Sequence, residues 1–307
     1  MKGNDIRDRL RELGRKPNKR YGQHFLVDQS VLNATIEAAE IVEGDRALEI
    51  GPGLGILTEE LVAAGATVVA IEKDRALAHE LELRLKKHVT IVEGNALEMD
   101  WGRVMTEGKI PNSKFQIPNS SPWKLVANIP YSITAQIIRK ALWSDAIPSV
   151  IVLLMQREVA ERIVGEIGSR KQEKPGEKKS LSFTPLPVSL ISLSVMLASS
   201  FVKIVRKVPR KCFYPPPDVE SSVLKIVPMS QEERRAKWGV DPEKVMSLAA
   251  RAFLNPRKKM TTTLVLKELP REKIITALNA VGASENARPE ELSVGQWADL
   301  GKRLSES

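Results

Sequence analysis

Three closely spaced glycines, Gly51, Gly53 and Gly55, separate a short apolar run from an amphipathic stretch. The run at 46–50 predicts a buried strand, and the stretch at 55–64 predicts a helix. Because glycines let a backbone turn tightly and approach a ligand closely, this strand–turn–helix unit predicts a ligand site on an α/β sheet. The alternative is a glycine-rich connection in an ordinary α/β sheet.

The spacing of the glycines narrows the choice of ligand. The pattern G-x-G-x-G differs from the G-x-G-x-x-G of dinucleotide folds, and it lacks the Lys-Ser/Thr of a phosphate loop. A second strand, predicted at 67–72, ends in Glu72, where a carboxylate can hold both hydroxyls of a ribose. These features favour a nucleoside without a pyrophosphate, and S-adenosylmethionine is the commonest such cofactor. We expect Gly51 and Gly53 to pass close to its methionine part.

A turn of four residues, Asn128-Ile129-Pro130-Tyr131, follows the apolar run 125–127. It places a carboxamide oxygen, a backbone carbonyl freed by Pro130 and an aromatic face around one point. The two oxygens can accept hydrogen bonds from an exocyclic amine while the ring stacks on a flat base. Alone, an Asn-x-Pro sequence is usually only a turn, so its weight comes from the glycine loop upstream.

The chain resembles the ribosomal small-subunit RNA adenine dimethyltransferases, which convert two adjacent adenines to N6,N6-dimethyladenine. The resemblance covers most of residues 20–228 and continues more loosely to the end. The matching stretches are 21–26 (Tyr-Gly-Gln-His-Phe-Leu), 48–55, 71–74 (Ile-Glu-Lys-Asp), 128–131, 156–162 (Gln-Arg-Glu-Val-Ala-Glu-Arg), 193–195 and 213–221 (Phe-Tyr-Pro-Pro-Pro-Asp-Val-Glu-Ser).

The resemblance implies a class I, Rossmann-like methyltransferase sheet followed by a small helical domain. It also implies that two adjacent loop adenines near the 3′ end of small-subunit RNA are the substrate. The amine of adenine is flat and a poor nucleophile, because its lone pair is delocalised into the ring. Hydrogen bonds from N6 to the Asn128 oxygen and to a carbonyl near Ile129 favour a pyramidal nitrogen, so positioning and electrostatics supply most of the acceleration. We expect no general base.

Further site residues follow from the family pattern. His24 and Leu26 correspond to positions at the methionine end of the cofactor, and we expect Asn128 to contact the cofactor as well as the base. Asn95 stands where the family carries an Asp that accepts from the cofactor's adenine amine, and it can accept less strongly through its own oxygen. Tyr131 is expected to stack on the target adenine, with Phe213 as a second aromatic wall. The alternative for Phe213 is a core residue that anchors the proline turn.

Charge indicates a polyanionic partner. The net charge is +9, and residues 1–20 hold eight Lys/Arg against three acids. Taken singly, each basic cluster could be a solvated surface, but several clusters around a nucleobase-type site favour RNA. We expect ribosomal RNA, within a partly assembled small subunit, as the partner of a monomeric enzyme. The expected RNA-binding residues are Lys203, Arg206, Lys207, Arg210, Lys211, Arg257, Lys258 and Lys259.

Cysteine and histidine usage points away from other chemistries. Cys212 is the only cysteine, so an intrachain disulfide is impossible, and we interpret it as structural rather than as a nucleophile. The three histidines show no metal-ligand spacing, so we expect no metal.

The run 186–195 is too short and too rich in serine to span a membrane, and we expect a cytoplasmic protein.

The expected organisation is a mobile basic arm at 1–20, a methyltransferase domain at 21–229 and a helical, RNA-facing domain at 230–307. Asn-, Ser- and Pro-rich residues 106–122 and Lys- and Pro-rich residues 166–187 predict loop insertions. Strands are predicted at 89–93, 124–127, 149–155, 194–206 and 220–227, the last two as an antiparallel edge pair, and helices at 31–40, 74–87, 133–143, 242–253, 256–268, 271–281 and 289–304.

Two other functions remain open from the residues. A resistance-type adenine methyltransferase acting on large-subunit RNA shares the Asn-x-Pro-Tyr turn and the glycine loop. A catalytically silent RNA-binding assembly factor could be built on the same fold. The intact Glu72, Asn128 and Tyr131 argue against a silent factor, whereas Asn95 leaves it possible.

Overall fold

The computed structural model describes residues 3–18, 22–85, 89–106, 122–168, 187–266 and 269–305. The chain divides into two compact units, Met1–Glu161 with Phe201–Pro228, and Arg162–Ser200 with Met229–Ser307. The described residues 162–168 and 187–200, which the sequence prediction includes in the methyltransferase domain, group with the C-terminal helices.

Labels follow chain order. The elements up to the first unit's last strand are α1 (Gly3–Glu12), β1 (Phe25–Leu26), α2 (Gln29–Ala39), β2 (Arg46–Ile50), α3 (Ile56–Ala63), β3 (Thr67–Glu72), α4 (Arg75–Leu85), β4 (Val89–Glu93), α5 (Trp101–Thr106), β5 (Trp123–Asn128), α6 (Thr134–Trp143), β6 (Val150–Gln156), α7 (Arg157–Gly168), α8 (Leu190–Ala198), β7 (Ser199–Val208), β8 (Phe213–Tyr214) and β9 (Ser221–Pro228).

Seven strands form the central sheet in the order β4-β3-β2-β5-β6-β9-β7. The strands β4, β3, β2, β5 and β6 are parallel, and β9 is antiparallel to β6. Strand β2 is buried along its whole length, as expected for a parallel strand that is covered on both faces. After β2 the chain adds β3 and β4 on one side of that strand. It then adds β5 and the later strands of the sheet on the other side. The carboxyl ends of β2 and β5 therefore flank the switch point where open α/β sheets bind ligands.

The N-terminal arm is folded, so the prediction of a mobile segment is wrong for helix α1. Ile6 and Leu10 lie one turn apart on α1, and both are buried in the core of the first unit. An apolar pair at this spacing gives a helix one face that must be covered. The prediction considered the charge of the segment and overlooked this pair.

The second unit is mainly helical in its described part. Its C-terminal elements are α9 (Gln231–Trp238), α10 (Pro242–Ala252), α11 (Met260–Thr263), α12 (Arg271–Ala280) and α13 (Val294–Ser305). Trp297 of α13 is fully buried and stacks on Phe253 with ring centroids 6.0 Å apart. The carbonyl of Leu197 in α8 accepts the indole N–H of Trp238 at 3.0 Å, which ties α8 to these helices.

Two secondary-structure predictions are wrong in part. Residues 194–198, expected to begin an edge strand, end helix α8, which starts at a capping box formed by Ser189 and Ser192. The helix expected at 256–268 is reduced to α11 in the described residues, and turns and bends occupy 253–258. The predicted insertions lie largely at 107–121 and 169–186, outside the described residues. No helix within the described ranges is long and apolar enough to cross a membrane.

Candidate active site

A pocket opens at the carboxyl ends of β2, β3 and β5, on the switch point of the sheet. It is lined by Gly22–Leu26, Glu49–Gly53, Ile56, Leu57, Ile71–Lys73, Gly94–Leu97 and Asn128–Ile133. All seven residues predicted to bind the cofactor line this pocket. The structure thus joins segments that are more than 100 positions apart in the sequence.

The glycine loop packs closely against neighbouring side chains, which occupy the space where Cβ atoms would lie. Gly53 and Gly55 adopt φ values of +59° and +75°, in the left-handed region that favours glycine. A Cβ on Gly53 would lie 3.0 Å from the Phe25 ring, and one on Gly55 would lie 2.5 Å from Leu81 Cδ2. A side chain at either position would therefore contact a neighbouring side chain closely, in addition to straining the backbone.

The Glu72 carboxylate is fixed by the backbone at both oxygens. Its Oε2 accepts the Gly53 N–H at 2.9 Å, and its Oε1 accepts the Asp74 N–H at 2.8 Å. Burial raises the pKa of Glu72, and the two N–H donors oppose that rise. Each carboxylate oxygen keeps a lone pair, so Glu72 can still accept from two ligand hydroxyls.

Glu49 is a second acid in the pocket, and the sequence analysis did not single it out. It is 2% exposed, and burial raises its pKa to about 8, so it is largely neutral at pH 7. Among the described residues none donates to or accepts from its Oε2. The available signal was an acid within the buried strand 46–50, immediately before the glycine loop.

Asn95 lines the pocket, and its carboxamide is already oriented. Its Oδ1 accepts the Leu97 N–H at 3.2 Å, and its Nδ2 donates to Glu98 Oε1 at 2.6 Å. An Asp at this position would place two carboxylates together, which gives a local reason for the asparagine. The oxygen retains one lone pair for a ligand amine.

Lys140 of α6 binds the backbone of the segment that follows Asn95, a role that no sequence motif indicated. Its ammonium donates to the carbonyl of Leu97 at 2.8 Å and to that of Met99, and it lies 5.3 Å from the Trp101 ring centroid. Trp101 in turn donates its indole N–H to the Ala96 carbonyl at 2.8 Å. Burial lowers the pKa of Lys140.

The Asn128 side chain is held so that its oxygen is left to accept. Its Nδ2 donates to the His24 carbonyl at 3.1 Å, and His24 Nδ1–H donates to the Pro215 carbonyl at 2.8 Å. Pro130, which has no N–H, shapes the turn, and its carbonyl accepts the Ile133 N–H at 3.1 Å. The turn therefore presents an amide oxygen as an acceptor beside an aromatic residue.

The Tyr131 ring is anchored at its hydroxyl, which lies 2.5 Å from Ser221 Oγ in β9. Burial raises the pKa of this phenol, so it stays protonated. The rings of Tyr131 and His24 are nearly parallel, 18° apart in plane, with centroids separated by 6.2 Å. Both residues line the pocket, so they offer aromatic rings to a flat ligand.

Phe213 does not line the pocket, which corrects its predicted role as a second aromatic wall. It is 3% exposed and belongs to the core, in the two-stranded pair of β1 with β8, where Leu26 is its partner. A stiff proline-rich turn needs an apolar anchor, and Phe213 provides it. The neighbouring Cys212 is also buried, and its pKa is raised to about 11 by burial and by its bond to Asp28, so it remains a thiol.

The predicted RNA-binding residues occupy the surfaces of both units. On β7 and the following turn, Lys203, Lys207, Arg210 and Lys211 are exposed, and Arg206 donates to the Ser30 carbonyl at 2.9 Å. Lys207 pairs with Glu161 at 3.2 Å. In the second unit the exposed residues are Arg257, Lys258 and Lys259.

Comparison with known proteins identifies close relatives along almost the whole chain. The family model described as ribosomal RNA adenine dimethylase matches residues 14–176. A ribosomal RNA small subunit methyltransferase A from Nostoc sp. is 34% identical over 297 residues, covering 94% of this chain and 98% of the relative. Its counterpart from Moorella thermoacetica is 34% identical over 298 residues, covering 96% and 95%.

Solved structures show the same fold at lower identity. A dimethyladenosine transferase from Plasmodium falciparum has a TM-score of 0.63 and 22% identity, covering 90% of this chain and 96% of that one. The 23S rRNA methyltransferase ErmE has a TM-score of 0.59 and 23% identity, covering 92% and 99%. These likenesses confirm the class I methyltransferase fold. The family model and the relatives together show that this chain belongs to the ribosomal RNA adenine dimethylase family.

Proposed function

We propose that this protein transfers methyl groups from S-adenosylmethionine to N6 of two adjacent adenines in a loop near the 3′ end of small-subunit ribosomal RNA. The product is N6,N6-dimethyladenine. The observation that carries the proposal is one pocket in which a buried, backbone-held carboxylate, Glu72, and an acceptor carboxamide, Asn128, lie on opposite sides of a glycine loop. The names of the relatives supply the substrate and its subunit.

The residues of the pocket fit the cofactor. Glu72 is suited to the two ribose hydroxyls, because both its oxygens are fixed and each keeps a lone pair. The carboxyl of Glu49 has an oxygen without a partner among the described residues, and it suits the polar methionine end beside Gly51 and Gly53. Asn95 has one lone pair left for the adenine amine. When bound, S-adenosylmethionine supplies a methyl group on a positively charged sulfur.

Catalysis then depends on how the pocket holds the acceptor amine. The Asn128 oxygen and the Ile129 carbonyl accept the two N6–H groups in the first transfer, and one of these oxygens accepts the remaining N6–H in the second. These hydrogen bonds favour a pyramidal nitrogen with its lone pair directed outward. Tyr131, fixed through Ser221, stacks on the base. The N6 ammonium that results is acidic enough to lose its proton to water, so we assign no general base.

The target adenine must leave its stack, and unpaired loop adenines do so at lower cost than paired ones. We propose that Lys203, Lys207, Arg210, Lys211, Arg257, Lys258 and Lys259 contact the RNA backbone, with Arg206 in a supporting position. The enzyme is proposed to be a monomer in the cytoplasm that acts on a partly assembled small subunit. Its activity contributes to small-subunit biogenesis.

The test is methyl transfer from labelled S-adenosylmethionine to unmethylated small subunits and, in parallel, to large subunits. We expect label on small-subunit RNA alone. Label on large-subunit RNA would favour the resistance-type activity instead. Cofactor binding without label on either subunit would favour a silent assembly factor.

A further inference from the structure

The N-terminal segment reaches the back of the cofactor pocket through two separate sets of charged contacts. The first begins at Arg9 of α1, which pairs with Glu80 of α4 at 2.7 Å. Glu80 also accepts from Arg84 Nε at 3.0 Å, one turn further along the same helix. All three side chains are largely buried, with exposures of 18%, 17% and 24%.

Arg84 also binds the backbone of the glycine loop. Its Nη2 donates to the Leu54 carbonyl at 2.6 Å, and its Nη1 pairs with Glu59 of α3. A Cβ on Gly55 would lie 2.8 Å from the same Nη2, so the absence of a side chain there lets the guanidinium reach the loop. Leu54 directly follows Gly53, whose N–H holds Oε2 of Glu72, so Arg84 contacts the glycine loop one residue beyond the one that binds the carboxylate.

The second set of contacts begins at Arg15, just after α1. Its Nη2 donates to Asp74 Oδ1 at 2.6 Å, and the Asp74 side chain is 7% exposed. The same Oδ1 accepts the Ala76 and Leu77 N–H groups at the start of α4. The Asp74 N–H holds Oε1 of Glu72. The N–H donors to Glu72 therefore come from Asp74, whose side chain Arg15 contacts, and from Gly53, which precedes the residue that Arg84 contacts.

We infer that the N-terminal segment is a brace for the ribose end of the cofactor site, with Arg9, Arg15 and Arg84 as positioning residues that act through Glu72. The inference rests on the proposed cofactor. It also changes the role of the basic N-terminal segment, since Arg9 and Arg15 are engaged with acids of their own unit. Charge-assisted hydrogen bonds hold geometry more firmly where the acid is buried, and Glu80 and Asp74 are 17% and 7% exposed, whereas Arg15 is 38% exposed.

The test is the S-adenosylmethionine Kd, measured by calorimetry on the full chain, for Arg9→Ala, Arg15→Ala and Arg84→Lys. We expect Kd to rise about five- to tenfold in each, which is within the usual range of coupling between sites. Arg11→Ala is the matched control, because Arg11 lies on the same helix and is 82% exposed, and its ion-pair partner among the described residues is Asp8, three positions away. It should leave Kd unchanged.

A double-mutant cycle separates positioning from general loss of structure. In a Glu72→Gln background, Arg15→Ala should raise Kd by less than about twofold, because the carboxylate that Arg15 helps to position is no longer present. Arg84→Lys keeps the charge, so a folded variant is available even if Arg84→Ala is unstable. Unchanged Kd in all three variants, or an equal loss with and without Glu72, would overturn the inference. A wild-type chain that does not bind the cofactor would refute the proposed function itself.

Discussion

The two ends of the pocket are held in different ways. At the end proposed to hold the ribose, both oxygens of Glu72 accept backbone N–H groups, and ion pairs with largely buried acids lie beside those groups. At the acceptor end, Asn128 is held by one carbonyl and Tyr131 by one hydroxyl, through residues far away in the sequence. A carboxylate that accepts two backbone hydrogen bonds is fixed once the sheet folds, whereas a side chain held by a single hydrogen bond can adjust to a base that enters and leaves. The comparison suggests a rigid cofactor half and an adaptable acceptor half.

The largest effect is expected at the acceptor end. Asn128→Ala should lower the single-turnover rate of methyl transfer by about 100- to 1000-fold, as for the loss of other groups that stabilise a developing charge. Its cofactor Kd, measured by calorimetry, should stay within a few-fold of the wild-type value. Near-normal turnover would remove Asn128 from the mechanism.

The complementary change is at the ribose end. Glu72→Gln should weaken cofactor binding by about tenfold to 100-fold, because hydrogen bonds to an ionised acceptor are lost and the new amide faces backbone donors. The transfer rate at saturating cofactor should change far less. A variant whose Kd is normal while its saturated rate collapses would reverse the assignment of the two ends.

Glu49 gives the rigid half a dependence on pH. Its pKa is raised from 4.5 to about 8, so the folded state keeps a proton that the unfolded state has lost. The free energy of unfolding should therefore fall as pH rises from about 4.5 to about 8, by at most about 1.4 kcal/mol per pH unit, and level off above.

Chemical denaturation at several pH values measures this slope. Glu49→Gln should flatten it, whereas Glu43→Gln, at an exposed position, should keep it. An equal slope in Glu49→Gln and wild type would show that Glu49 does not carry the proton.

A substitution at Phe213 tests whether this residue belongs to the acceptor half of the pocket or only to the core. Phe213→Leu should cost about 1–2 kcal/mol of stability, since it removes buried volume from the core. Its transfer rate should remain close to wild type. Phe201→Leu, at an exposed ring on β7, is the control and should change stability by less than about 0.5 kcal/mol. A stable Phe213→Leu chain with a greatly reduced rate would restore the stacking role.

The smallest effect is expected at Asn95. Asn95→Asp gains a stronger acceptor for the cofactor amine but places a second carboxylate beside Glu98, so cofactor Kd should change by less than about twofold. The double variant Asn95→Asp/Glu98→Gln removes the repulsion and should bind more tightly than Asn95→Asp. Equal Kd values for the two would show that Glu98 has no influence on this position.

Local sequence predicted the parts of the fold that depend on local patterns. The glycine loop, the strand that ends in Glu72 and the Asn128 turn each follow from a short run, and the structure brings them together at the switch point. Contacts between distant segments were not predictable in this way. The burial of Phe213 against β1, the docking of α1 and the contacts of Lys140 with the 97–99 carbonyls depend on which surfaces meet after folding. Helix α8 was missed because an apolar run does not distinguish a buried helix from a buried strand.

The most direct test locates the methyl groups in the RNA. Unmethylated small subunits are incubated with the protein and S-adenosylmethionine, and the digested RNA is sequenced by mass spectrometry of its fragments. We expect two methyl groups on each of two adjacent adenines in a loop near the 3′ end. Methyl groups at any other position, or only one methyl group on each adenine at completion, would contradict the proposed activity.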